Sequence, residues 1–309
     1  MSRRRRVLEK PGPAGFLLVD KPAGWTSHDV VDAARGWLGT QRVGHLGTLD
    51  PLATGVLPLA VRAATKLAPY LTDGRKSYAG SIQLGVETDT LDAGGTVVRR
   101  CEGAFPSLDE VEQALGDFIG EIEQVPPMYS AVKVSGVPLH RLAREGKEVE
   151  RAPKKVRIEH IELLSYQESR IEFKVDCSRG TYVRTLADDL GRRLGCGAHL
   201  RNLRRTRSGP FELKSAMTPE ALAEAADRGE LERHLVPPVD ALGLPIVQLG
   251  PEESRRVKNG CEVSAPLRLA SGGRVAALEP GGQLLAVMEV LPGRRLKPLR
   301  VLQSVAPAA

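Results

Sequence analysis

The chain is poor in the features that mark metal, redox, nucleotide-hydrolysing and membrane proteins. Its four cysteines, Cys101, Cys177, Cys196 and Cys261, are widely spaced and include no Cys-x-x-Cys pair. That argues against a zinc site and a disulfide scaffold, and predicts reduced thiols in a cytoplasmic protein. No stretch approaches the roughly 18 uninterrupted apolar residues of a membrane span, and no apolar segment follows the basic start to make a secretory signal. The glycines near residue 50 lack a following Gly-Lys-Ser/Thr, so no Walker loop is present, and a dinucleotide fingerprint is also missing. Six histidines are scattered without metal-ligand spacing. Asp89, Asp92 and Gly94 lack the further ligands of a calcium loop and read as a turn between strands. Ser27, His28 and Asp29 are adjacent in the chain and do not form a hydrolase triad. What remains is a chemistry of carboxylate, tyrosine and arginine, with no metal and no cofactor expected.

The 309 residues exceed one ordinary core, so a large domain and a smaller one are expected. The net charge of +6 points toward a polyanionic partner, and its distribution is more telling than its sum. Between Arg184 and Arg207 lie seven arginines against two acids, Asp188 and Asp189. Guanidinium groups bind phosphate through paired hydrogen bonds, so this segment favours nucleic acid, with Arg201, Arg204 and Arg205 as candidate RNA-backbone contacts. The run Arg3–Arg6 reads either as a solvated tail or as a further nucleic-acid contact.

Alternation predicts strands over Phe16 to Val19, Tyr78 to Val86, Val156 to Leu164 (irregular, with a bulge) and Ile171 to Cys177. Helical spacing marks four further segments. One begins at Ser27, read as its N-cap, and carries Val30, Val31, Ala34, Trp37 and Leu38. Another follows a Ser107/Glu110 capping box and runs through Phe118 and Ile119. A third spans Val183 to Leu194 and ends near the cations Arg192 and Arg193. The fourth starts at Thr218-Pro219. A proline-rich stretch around residues 235–245 precedes short apolar runs separated by glycines. Those runs read as a small all-β module of barrel or half-open sandwich type, with nine Lys/Arg against five Asp/Glu from Pro245 onward.

The loop Gly44-His45-Leu46-Gly47-Thr48-Leu49-Asp50-Pro51-Leu52-Ala53-Thr54-Gly55 holds one carboxylate. It is too apolar for a solvated turn and too rich in Gly and Pro for a helix or central strand. Asp50 is either a turn initiator ahead of Pro51 or a nucleophile or base on a constrained, semi-buried loop. Three other segments share its chemistry: Lys76-Ser77-Tyr78, Cys177 through Leu186, and Gly197 through Thr206.

Residues 44–55 closely resemble the catalytic motif of the bacterial TruB-type tRNA pseudouridine synthases. Asp20-Lys21-Pro22-Ala23-Gly24, Gln124 through Lys133, and Cys177 through Leu186 resemble further motifs of that family in the same order, over roughly residues 15–210. The resemblance implies an α+β fold, whose catalytic domain (15–240) is a mixed, mainly antiparallel sheet with flanking helices. A basic tail (1–14) would precede it and a small β-barrel similar to a PUA RNA-binding domain (245–309) would follow. It implies isomerisation of a T-loop uridine at position 55: the N1–C1′ bond breaks, the uracil turns, and C5 rejoins C1′ after the base has been flipped out of its stack. Asp50 matches the essential aspartate, Tyr78 the active-site tyrosine and Arg184 the arginine paired with the aspartate. Tyr182 and Leu203 match residues lining the base pocket, His45 the histidine that fills the space of the extruded nucleotide, and Lys21 a lysine near the pocket. His140 stands where the family pattern leads one to expect tyrosine. The implied partner is the tRNA T-arm, with no guide RNA, no membrane, no cofactor and a monomeric protein. Whether Asp50 attacks C1′ or assists 2′-proton removal toward a glycal stays open. An RNA-binding or RNA-folding module and a carboxylate-dependent nucleoside hydrolase are the competing readings from other classes.

Overall fold

The computed structural model describes residues 10–302, except positions 73, 102, 131, 135 and 266–268 and the side chain of His140. The Arg3–Arg6 run and the His140 contact lie outside the described residues.

In the larger part the strands are β1 (Gly15–Lys21), β2 (Val43–His45), β3 (Thr54–Val61), β4 (Lys76–Leu84), β5 (Val86–Thr88), β6 (Val97–Arg100), β7 (Gly120–Gln124), β8 (Lys133–Val134) and β9 (Val137–Pro138). They are followed by β10 (Lys154–Gln167), β11 (Arg170–Cys177), β12 (Ala198–Ser208) and β13 (Phe211–Glu212). One sheet runs in the order β1-β3-β12-β4-β11-β10-β7, with β2 added to β3 and β13 to β12. β5–β6 and β8–β9 form separate two-stranded ribbons. Within the large sheet the pairings are antiparallel except for one parallel joint, where Arg204 and Arg205 of β12 meet Thr54 and Gly55 of β3. The mixed, mainly antiparallel sheet expected from the sequence is therefore present.

Alternation explains the central strands. Ile171, Phe173, Val175 and Cys177 of β11 are all buried, as a half-covered antiparallel strand requires. The expected irregularity of β10 is real, with register shifts between Ile158 and His160 and between Leu163 and Ser165. The helices are α1 (Ser27–Leu38), α2 (Ala68–Leu71), α3 (Leu108–Gly116), α4 (Leu139–Arg144), α5 (Val183–Arg193), α6 (Pro219–Asp227), α7 (Pro238–Leu242) and α8 (Pro251–Lys258). Among the described residues no helix is long and apolar enough to cross a membrane.

Two helix boundaries differ from expectation. Thr26, not Ser27, caps α1, because Asp29 sits at its third position and completes a capping box with Thr26. That releases the Ser27 hydroxyl, which accepts from the Leu49 N–H (2.8 Å) and donates to the Leu49 carbonyl (3.1 Å). α3 stops at Gly116, so Phe118 and Ile119 lie beyond it and Ile119 is half exposed. Glycine at the end of a three-turn apolar stripe is a sufficient stop.

The C-terminal part forms a second sheet of β14 (Ile246–Gln248), β15 (Val263–Ser264), β16 (Arg274–Leu278), β17 (Leu284–Leu291) and β18 (Arg295–Val301), in the order β14-β16-β17-β18-β15. It is not all-β, because α8 lies between β14 and β15. Pro251 at its first turn and the Glu253 carboxylate on the Gly250 N–H start this helix, but only Ser254 and Val257 are buried, so no apolar period announced it. Val287 and Leu302 of this part share a buried cluster with Phe16, Leu18, Val56 and Ala60 of β1 and β3, and with Phe211, whose ring lies 5.4 Å from that of Phe16. Ala64, Leu67, Leu71 and Ala241 belong to the same cluster, so the C-terminal part adds Val287 and Leu302 to a face of β1 and β3 that is packed mainly by the larger part.

The parallel joint depends on Gly55. Its φ is +103°, and a Cβ there would lie 2.3 Å from the Arg205 carbonyl oxygen. Gly55→Ala is expected to destabilise the protein by about 2–4 kcal/mol in urea unfolding, through backbone strain and separation of β3 from β12. A loss below about 0.5 kcal/mol would show that β12 can move away freely.

Candidate active site

The loop between β2 and β3, the start of β4, the turn before α5 and the middle of β12 converge on one cavity of about 240 Å³. Asp50, Lys76, Tyr78, Tyr182, Arg184 and Leu203 all line it. Residues from four distant segments meet because β12 lies between β3 and β4, while the turn after β11 brings α5 across the cavity mouth.

Asp50 and Arg184 are in direct contact, Arg184 Nε donating to Asp50 Oδ2 at 2.8 Å. The arginine side chain is buried, whereas that of Asp50 is 39% exposed, so the carboxylate faces the cavity from a fixed partner behind it. Arg184 also donates to the Thr90 carbonyl (3.0 Å) and the Tyr129 carbonyl (2.9 Å), and Asp92 Oδ2 lies 3.7 Å from its Nε. Three directed contacts and two carboxylates use the planar fork of the guanidinium in a way an ammonium group could not. Tyr78 is buried, and burial raises its phenol pKa, so the group is neutral at ordinary pH. Burial likewise raises the pKa of Tyr182. Leu203 is buried and apolar on the cavity wall.

Other expected site residues are placed differently. Lys21 is completely buried, with its Nζ donating to the carbonyls of Pro22 (2.8 Å), Trp25 (2.7 Å) and Pro51 (3.4 Å). It does not reach the cavity as a substrate-binding group; it ties the residue after Asp50 to the end of β1. Arg205 is also completely buried and cannot serve as an RNA-backbone contact, because its guanidinium is turned inward onto backbone carbonyls. Arg204 is half exposed but paired with Asp20 (2.6 Å), while Arg201 is exposed on the surface of β12. His45 is half-buried beside the loop and outside the cavity lining; its Nδ1 accepts from the Gly47 N–H at 3.4 Å, and burial lowers its pKa.

Three contributors have roles at the site that the sequence does not show. Gln124 is buried at the end of β7, and its amide both accepts from the Tyr182 N–H (2.9 Å) and donates to the Tyr182 carbonyl (3.3 Å), fixing the residue that enters α5. Ser27 holds Leu49, one residue before Asp50. Asp92, read as a turn residue, stands behind Arg184. Gln124 opens one of the family-like motifs, but its amide bracket spans 58 positions and only the fold joins its ends.

Burial pushes the Lys21 ammonium pKa down to about 8 from 10.5. Between those values the unfolded chain binds a proton that the folded chain does not, so this residue makes stability rise with pH across that window and leaves it flat below pH 8. On going from pH 7.5 to 9.5, the wild type is expected to gain about 2 kcal/mol relative to Lys21→Met in urea unfolding. Equal pH responses of the two proteins would refute the buried charge.

Known proteins resemble the chain over most of its length. Residues 35–183 match the model of the TruB family pseudouridylate synthase N-terminal domain, and residues 184–242 that of the tRNA pseudouridylate synthase B C-terminal domain. Together these matches span residues 35–242 and mark the chain as a pseudouridylate synthase. The chain is 45% identical to tRNA pseudouridine synthase B of Geobacter sulfurreducens, over 90% of this chain and 94% of that protein. It is 43% identical to the protein of the same name from Stutzerimonas stutzeri, over 94% and 96%. Among solved structures, an H/ACA RNP bound to a substrate RNA containing 2′-deoxyuridine matches with a TM-score of 0.71 at 25% identity, covering 94% of this chain and 85% of that one. A Cbf5–Nop10–Gar1 complex matches with a TM-score of 0.71 at 27% identity, over 97% and 92%. The chain belongs to the bacterial TruB-type family of pseudouridine synthases.

Proposed function

We propose that this protein is a tRNA pseudouridine synthase, an isomerase that converts the T-loop uridine at position 55 without a guide RNA and as a monomer. The observation that carries the reading is the carboxylate of Asp50, held by buried Arg184 at the edge of a cavity walled by Tyr78, Tyr182 and Leu203. A uridine in a folded T-arm must leave its stack to enter, and aromatic and apolar walls then offset part of the unstacking cost. Asp50 acts at the sugar, either by attacking C1′ or by assisting 2′-proton removal, and the N1–C1′ bond breaks. The freed uracil turns against the Tyr78 ring, C5 bonds to C1′, and the C5 proton is passed to the Tyr78 oxygen. His45 supports the space left by the extruded nucleotide.

Exposed Arg201 and half-exposed Arg204 supply phosphate contacts beside the cavity. The basic five-stranded module acts as a PUA-like RNA-binding domain. Cutting the chain after Pro238 would uncover Phe16 and Leu18, so charge-neutralising changes at exposed Arg255 and Arg256 on α8 are the cleaner probe of that role.

The test is a T-arm stem-loop incubated with the protein, digested, and separated into nucleosides. Pseudouridine at position 55 with no free uracil is the expected product. Release of uracil would establish the hydrolase reading instead, and binding without conversion would leave an RNA-binding module.

A further inference from the structure

Arg205 is among the largest completely buried side chains of the protein, and among the described residues no carboxylate pairs with it. Carrying a guanidinium out of water is costly unless something offsets its charge. Three backbone carbonyls accept from it: Val56 from Nε (2.9 Å), Thr48 from Nη1 (3.2 Å) and Gly47 from Nη2 (3.2 Å). These contacts fix the loop just before Asp50, but neutral donors would satisfy the same oxygens. Two of the five N–H groups remain, and Tyr78 is the residue directly opposite Arg205 across the β12–β4 ladder, so their side chains share one face of the sheet, where the Tyr78 phenol favours the Arg205 charge. Lys76, two residues before Tyr78, adds a second, partly buried amine near Gly47. Burial disfavours the phenolate of Tyr78, as does Asp50, while Arg205 favours it. A resting site with excess buried positive charge is arranged for a negative charge that arises only during reaction.

We propose that Arg205 is a positioning residue for the isomerisation, its guanidinium held against Tyr78 so that the phenol oxygen can accept the uracil C5 proton. The inference rests on the reading of Tyr78 as the acceptor of that proton. After C5 has bonded to C1′, C5 still carries its hydrogen and N1 carries none. Tyr78 releases its phenolic proton to solvent. The C5–H bond breaks, its electron pair returns to the ring, and its proton goes to the phenolate oxygen. N1 takes a proton from solvent. One proton has moved in effect from C5 to N1, Tyr78 ends as it began, and nothing is oxidised or reduced. The step is the same for either way of opening the glycosidic bond.

The experiment is single-turnover conversion of a saturating T-arm stem-loop carrying hydrogen or deuterium at C5 of the target uridine. Arg205→Met is expected to slow conversion by roughly 10²-fold, the scale of one proton-transfer contribution, and to raise the deuterium isotope effect above that of the wild type. Placing difluorotyrosine, a more acidic phenol, at position 78 of Arg205→Met is expected to recover part of the rate. An unchanged rate overturns the proposal. So does a slow variant with no larger isotope effect and no recovery, since that is the behaviour of a loop clamp alone. Should Arg205→Met fail to fold by circular dichroism, Arg205→Gln removes the charge while still donating to the backbone carbonyls and carries the same isotope test, with the same overturning result. If Tyr78→Phe converts the RNA at the wild-type rate, the reading of Tyr78 itself is wrong and Arg205 falls with it. Absence of any conversion by the wild type would instead refute the synthase reading.

Discussion

Asp50→Asn is expected to lower pseudouridine formation in a T-arm stem-loop by at least roughly a thousandfold, while affinity for the same RNA changes by less than about tenfold. The substitution keeps shape and leaves an oxygen that can accept from Arg184 Nε, so the loop held by Ser27, Lys21 and Arg205 has no reason to move. What is removed is the charge that must act at the sugar. Nucleoside chromatography after digestion reads the first quantity and filter binding the second. Activity within tenfold of wild type would remove Asp50 from the chemistry.

Arg184→Lys is expected to reduce the single-turnover rate by about 10²-fold with little change in RNA affinity. A lysine keeps the positive charge but cannot reach Asp50, the Thr90 carbonyl and the Tyr129 carbonyl at once, because those contacts leave the guanidinium from three different nitrogens. The carboxylate would then be neutralised without being aimed, and misplacement of a reacting group by about an ångström costs on the order of 10²-fold. Thermal melting separates this from unfolding. A rate within threefold of wild type would mean that charge alone, not direction, is what Asp50 needs.

The sheet was legible where one face of a strand is covered and the other is not. β11 alternates without exception, and β16 and β17 carry two of the apolar runs of the C-terminal part. α8 was not, because a helix that buries only one apolar side chain has no apolar period to read. In the site, Asp50, Tyr78, Tyr182, Arg184 and Leu203 were all singled out and are all brought to one cavity. Lys21 and Arg205 were misjudged for a common reason: a cation in a sequence is indistinguishable from its neighbours until the fold decides which way it points. Of the adjacent pair Arg204 and Arg205, the pleat turns one toward solvent and the other into the core, and composition averages over that difference.

Arg184 draws its partners from chain segments 134, 94 and 55 positions away. Aiming the carboxylate therefore requires the Asp50 loop, the turn at Thr90 and the segment at Tyr129 to have docked together. A partly folded chain, lacking any one of them, can already possess β10 and β11 and still present no oriented acid group. Recovery of catalysis during refolding thus reports the last of these dockings, not the first appearance of the sheet, and an RNA captured early by exposed arginines would be held without being altered.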